Sequence, residues 1–258
     1  MNQDFNILYL RNADYSCEII SNYGACINSY KFKDREFISG YQSIEEVSLQ
    51  QYKGVLLAPF PNRIAKAKFS FDDQHHALTI NRAKEGLALH GFLYDKEFRL
   101  IEKDADKLIL AYDYDGDAAG YPFPFSIAVS YYLEEQGLLR IKTHISNEGK
   151  QRLPFGLGWH PYFQMESIID DLSLSFPSSS YLELDEKLIP TGELKAFAEK
   201  QKILRLDNQN YDTCFLLDSQ DSASFILSDK TMDLHISTPS IEHFPYFQIY
   251  TAKDRKSI

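Results

Sequence analysis

Two histidines, each bounded by glycine or proline, are the residues best placed to do chemistry in this chain. His160 lies in PFGLGWHPYF at 154–163, among two glycines, two prolines and four aromatic residues. The glycines and prolines fix an irregular backbone, and Trp159, Tyr162 and Phe163 can form an apolar wall. Such a setting holds an imidazole near neutrality and ready to exchange a proton, or it simply packs the ring into a core. His90 lies in GLALHGFLYD at 86–95, where Gly91 marks the end of an element. It is a site residue or a core histidine satisfied by a backbone carbonyl.

One further pair and two separate later residues are candidates for a ligand rich in oxygen. Asn62 and Arg63 follow Pro59 and Pro61, where the chain must bend. They are donors aimed at a ligand oxygen, or Arg63 pins the turn. Asp212, ahead of an apolar run, caps a turn or accepts bonds from ligand hydroxyls. Gln248 lies on an apparent strand and points opposite Phe247 and Ile249.

Other chemistries lack their residues. Counted from Asp113, a calcium hand-loop needs Gly sixth and Glu twelfth, but those places hold Ala118 and Pro124. His75 and His76 have no HExxH partner, and no GxGxxG, Walker loop or GxSxG elbow occurs. Cys17, Cys26 and Cys214 form no CxxC or Cys/His array, so no metal is expected. Their odd number suits a reducing compartment. A net charge of −10 argues against nucleic acid, which wants a basic footprint. No apolar run approaches the roughly 18 residues of a membrane span. The N-terminus shows no basic and then apolar leader, which leaves the cytoplasm as the expected location.

The elements that must position these residues read as strands. Tyr and Phe number 17 and 18, an excess that favours pleated, half-buried surfaces. The clearest hairpin spans 125–145. Phe125, Ile127, Val129, Tyr131 and Leu133 alternate with small or polar residues, as do Leu139, Ile141, Thr143 and Ile145 after a turn at 134–137. Turn-rich groups recur throughout, at 22–24, 71–76, 113–120, 146–150, 190–193 and 207–210. Only 193–204 has a composition that could give a turn or two of helix. Short strands at regular spacing predict an all-β sandwich or barrel, and no linker or repeat divides residues 1–258 into more than one domain.

These segments together resemble the aldose 1-epimerases, or galactose mutarotases. The resemblance is carried in order by NRI at 62–64, Asn81, LHG at 89–91, GYPF at 120–123, GWHPYF at 158–163, PTGE at 190–193, YD at 211–212 and QIYT at 248–251. It implies a large antiparallel β-sandwich and the interconversion of α and β anomers of a free hexose such as galactose or glucose, with no cofactor. It implies that His160 protonates the ring oxygen and that His90 donates to the ring-oxygen region. Arg63 and Asn62 would orient the sugar, Asp212 would accept from hydroxyls, and Gln248 would line the floor. The family's general base is a glutamate after the QIYT strand. No residue of 1–258 is assigned to it, because the chain reads TAKDRKSI there and Glu242 comes too early. The expected domain therefore lacks the family's C-terminal segment, and self-association through the sheet edge so exposed would compensate. The rival readings are a non-catalytic sugar-binding protein and a sugar-phosphate 1-epimerase. The second would want an extra Arg or Lys beside the motifs.

Overall fold

A computed structural model describes residues 4–49, 51–197, 203–207, 209–218, 221–251 and 257–258. The chain divides into two compact units, Met1–Tyr162 and Phe163–Ile258.

The first unit opens with an antiparallel meander, β1 (Ile7–Arg11), β2 (Tyr15–Ile20), β3 (Cys26–Phe32) and β4 (Arg35–Ser39). Short strands follow: β5 (Leu56–Leu57), β6 (Arg63–Ile64), β7 (Lys68–Phe71), β8 (Gln74–Ala77) and β9 (Ala88–Leu89). A second meander comprises β10 (Arg99–Lys103), β11 (Lys107–Tyr114), β12 (Phe125–Leu133) and β13 (Leu139–Asn147). β14 (Gly158–Trp159) returns to pair with β5, while β6 pairs with β9 and β7 with β8.

Alternation makes the second meander. Phe125, Ile127, Val129, Tyr131 and Leu133 are all buried, and the residues between them are only partly so. Each such side chain contributes roughly 1.5–3 kcal/mol by leaving water. The buried Tyr131 hydroxyl donates to Ala25 O at 2.5 Å, which satisfies it.

The second unit contains β15 (Ser173–Ser175), β16 (Ser180–Leu184), β17 (Pro190–Ala196), β18 (Ile203–Arg205), β19 (Asp212–Leu216), β20 (Ala223–Ser228), β21 (Asp233–Thr238) and β22 (Tyr246–Tyr250). They form two sheets, ordered β18-β15-β20-β21 and β17-β16-β19-β22. The core gathers Leu174, Phe176, Leu206, Phe215, Phe225 and Ile249. The Phe215 ring lies 4.9 Å from Phe176 and 5.0 Å from Phe197.

The chain is all-β, but the expected large β-sandwich is corrected. Its strands are not shared between two large sheets. Among the described residues they fall into four four-stranded antiparallel sheets, two in each unit, beside three two-stranded ribbons. Alternation reports which face of a strand is wet, not how many strands share one ladder. The limit on sheet size lies at the edges. β10 and β17 are exposed along their whole length, and their pairings with β11 and β16 carry register shifts. Bulges and charged or proline-bearing edges stop further strands from joining.

Two local readings also change. PTGE at 190–193 is not a turn, because β17 runs through it. The turn comes earlier, where Asp185 Oδ1 accepts from Lys187 N at 2.8 Å and Ile189 N at 2.9 Å. Of the segment considered for helix, 193–196 is strand, and 198–202 lies outside the described residues. Among the described residues, helix is confined to short 3-10 turns at Ile44–Leu49, Ala65–Ala67, Glu135–Gly137 and Ile169–Asp171. None of the described helices is long and apolar enough to cross a membrane.

Candidate functional site

His90 is held by an unusual ladder. β6 and β9 pair with Arg63 opposite Leu89 and Ile64 opposite Ala88. One step further, His90 N donates to Asn62 O at 2.9 Å, as an antiparallel ladder requires. The reciprocal bond does not go to the His90 carbonyl. Asn62 N instead donates to the His90 ring itself, at Nδ1, over 3.1 Å. Both residues have left-handed backbones, with φ of 60° at Asn62 and 63° at His90. Asn and His are among the non-glycine residues that tolerate this region best, and such strain collects at functional sites.

This bond fixes the proton on the ring. Nδ1 faces an N–H and must accept, so the neutral imidazole carries its proton on Nε2 and can donate there. Burial, the neighbouring His160 and the charges of Arg63 and Arg82, in that order, hold the His90 pKa well below the ordinary imidazole value. The residue as a whole is only partly buried, yet enough protein surrounds the ring for desolvation to lead. His90 is therefore a neutral donor.

His160 comes to the same place from the other end of the first unit's chain. β14 pairs with β5, Gly54 N donates to His160 O at 2.7 Å, and His160 N donates to Val55 O at 3.1 Å. The Trp159 indole N–H adds a bond to Gly54 O at 3.0 Å. The two imidazoles stand perpendicular with ring centroids 5.5 Å apart. Tyr162 stacks on His160 at 5.3 Å and 17°, and Tyr52 meets His90 edge-on at 4.8 Å. Of the three aromatics named for an apolar wall, Tyr162 lies against the His160 ring, whereas Phe163 packs against the core of the second unit. Arg63 Nη1 donates to Asn62 Oδ1 at 3.0 Å, so Asn62 and Arg63 share one corner beside His90.

Several members of this cluster escaped the sequence reading. Tyr52 and Tyr94 meet edge-on at 5.1 Å. Arg82 grips Glu85 through two bonds of 3.2 and 3.0 Å and hydrogen-bonds Tyr52. An extra arginine of the kind a sugar-phosphate site would want does stand beside the motifs: Arg82, whose charge reaches His90. The Arg-x-x-Glu spacing was its one visible signal.

Asp212 and Gln248 belong to the second unit. Asp212 opens β19 opposite Tyr250 of β22, and Cys214 faces Gln248. Gln248 Nε2 donates to Asp212 Oδ1 at 2.6 Å. Gln248 is exposed while Ile249 is buried, as the alternation implied. Among the described residues no group of three or more His, Cys, Asp or Glu is arranged to hold a metal ion.

With this geometry in view, comparison with known families is decisive. The aldose 1-epimerase family model matches residues 7–258. The chain belongs to that family. Galactose mutarotase of Homo sapiens is 30% identical over a stretch covering 68% of this chain and 53% of that protein. The bifunctional protein gal10 of Schizosaccharomyces pombe is 26% identical over 90% of this chain and 36% of its own length. The chain spans about half the length of the curated relatives it matches. Among solved structures, the aldose epimerase homologue from C. elegans superposes with a TM-score of 0.83 at 16% identity, covering 96% of this chain and 82% of that one. At that identity the likeness speaks for the fold alone.

Proposed function

We propose that this aldose 1-epimerase family member interconverts the α and β anomers of a free hexose such as galactose or glucose. The observation that carries the reading is the perpendicular apposition of His90 and His160 at 5.5 Å, with His90 fixed as an Nε2 donor by Asn62. Ring opening breaks the C1–O5 bond. O5 gains a proton while the C1 hydroxyl loses one, and rotation about C1–C2 before reclosure inverts the anomer. His160 protonates O5, and His90 donates a hydrogen bond from Nε2 to the same region. The Asn62–Arg63 corner orients sugar oxygens. Asp212 and Gln248 offer an acceptor and an amide of the kind that binds hydroxyls. No described residue is assigned to take the C1 hydroxyl proton, so in this reading it passes to solvent water.

A free sugar is favoured over a sugar phosphate because Glu85 already engages Arg82 at two points. A cytoplasmic setting belongs to the same reading, with Cys17, Cys26 and Cys214 all free thiols. The test is anomer exchange followed by polarimetry or NMR, starting from fresh α-galactose, α-glucose and glucose 6-phosphate. Exchange of the free sugars above the buffer rate is expected. His160→Gln should reduce it by about 10²–10⁴ with the fold retained. Buffer-rate exchange with every sugar defeats the enzymatic reading, and measurable sugar binding without exchange leaves a binding protein in its place. Preference for glucose 6-phosphate selects the sugar-phosphate reading.

A further inference from the structure

Asn81 has no place in the proton transfers above, yet both ends of its side-chain amide are engaged beside His90. Its Oδ1 accepts from Leu89 N at 2.8 Å and its Nδ2 donates to Leu89 O, also at 2.8 Å. The Tyr94 hydroxyl lies beside the same amide, which works against the rise in its pKa that burial causes. The amide therefore pairs with Leu89 as a neighbouring strand would, on the edge of β9 that faces away from β6. Leu89 directly precedes His90, and its pairing with Arg63 leaves its own N–H and C=O turned outward for this clamp.

The second route runs through rings. Tyr94 meets Tyr52 edge-on at 5.1 Å, and Tyr52 meets His90 edge-on at 4.8 Å. One amide thus restrains the backbone that carries His90 and adjoins the ring stack that packs on it. We infer that Asn81 is a positioning residue, and that its two-point clamp on Leu89 holds the His90 ring where Nδ1 meets the Asn62 N–H and Nε2 is left to donate.

The inference rests on the reading of His90 as a site residue, but its test does not need turnover. In protein labelled with ¹⁵N-histidine, the His90 nitrogens report the tautomer directly, and hydrogen exchange reports the Asn62 amide. In the parent, His90 should show the Nε2–H pattern and the Asn62 amide should be protected. In Asn81→Ala, the His90 shifts should move toward a mixture of tautomers, and the Asn62 amide should exchange at least about tenfold faster. Asn81→Asp is nearly isosteric. It keeps the acceptor for Leu89 N but sets a carboxylate against Leu89 O, and it replaces Asn81→Ala if that variant does not fold. Tyr94→Phe removes only the second route and should change the Asn62 amide less than either.

Where the parent turns over sugar, the Asn81 variants should lose about tenfold in kcat with KM little changed, since mispositioning affects the proton transfer rather than ground-state binding. Parental His90 shifts and parental Asn62 protection in a folded Asn81 variant overturn the inference. A parent without turnover but with the tautomer shift in the variants defeats the enzymatic reading and leaves the positioning role standing.

Discussion

His90 joins two properties that are coupled in the folded protein. Its Nδ1 accepts from the Asn62 N–H, and burial, His160 and the two arginines keep the ring uncharged. A proton on Nδ1 would face the Asn62 N–H donor to donor, so charging the ring also breaks the ladder. The sign of the pH effect follows. Between the lowered folded pKa and the ordinary value of 6.5, the unfolded chain holds a proton on this residue and the folded chain does not. Stability from His90 is therefore complete above 6.5 and is lost as pH falls through the folded value. Thermal unfolding midpoints of parent and His90→Gln, compared at about pH 7.5 and about pH 5, check this. The parent should lose more between the two, and equal losses would remove His90 from the acid sensitivity. Gln can still accept from Asn62 through its amide oxygen but does not titrate, so the comparison isolates the proton.

At the scale of elements, the loop that delivers His90 depends on how closely two backbones approach. Gly91 has φ of +69°, and an added Cβ would lie 2.0 Å from Ala58 O, the carbonyl that accepts from Phe92 and Leu93. Gly86, in the preceding turn, has almost the same φ, +68°, with nothing within 4 Å of the added atom. Gly86→Ala should cost only the left-handed strain, ~1–2 kcal/mol. Gly91→Ala should cost at least about 2 kcal/mol more, because backbone must move. Denaturant unfolding of the two variants measures the difference, and equal losses would mean the approach to Ala58 relaxes freely. The sequence marked this loop because Gly91 follows His90. It also marked the β12–β13 hairpin, whose alternation survives intact, and the segment that brings in His160. It did not reveal Asn81's clamp on Leu89 or the Tyr52–Tyr94 stack. Those contacts join residues through a fold, and neither a side chain acting as a strand nor a ring nitrogen acting as a ladder carbonyl leaves any periodicity behind. The same reason explains the sheets. Alternation located β10 to β13 but held no information on where one ladder ends and another begins.

At the scale of the whole molecule, two compact units each own a core, and the proposed proton-transfer groups all lie in the first. The second unit's core converges on Phe215, which is buried and flanked by Phe176, Phe197 and Tyr181 at 4.9, 5.0 and 6.1 Å. Phe215→Ala removes the ring on which these neighbours close and should cost ~3–5 kcal/mol. Where units hold separate cores, that loss is felt first as local opening of the unit that bears it. Native-state hydrogen exchange should therefore show amides of β16, β19 and β22 exchanging faster in Phe215→Ala. The amides of β12 and the Asn62 amide should keep their parental rates. A uniform acceleration across both units would mean that they open together, and the two cores would then have to be treated as one cooperative structure. If the accelerated set stops at Phe163, the ladder that fixes the His90 tautomer is an autonomous property of the first unit. Asp212 and Gln248, in the second unit, can then be varied without disturbing His90 or His160 in the first.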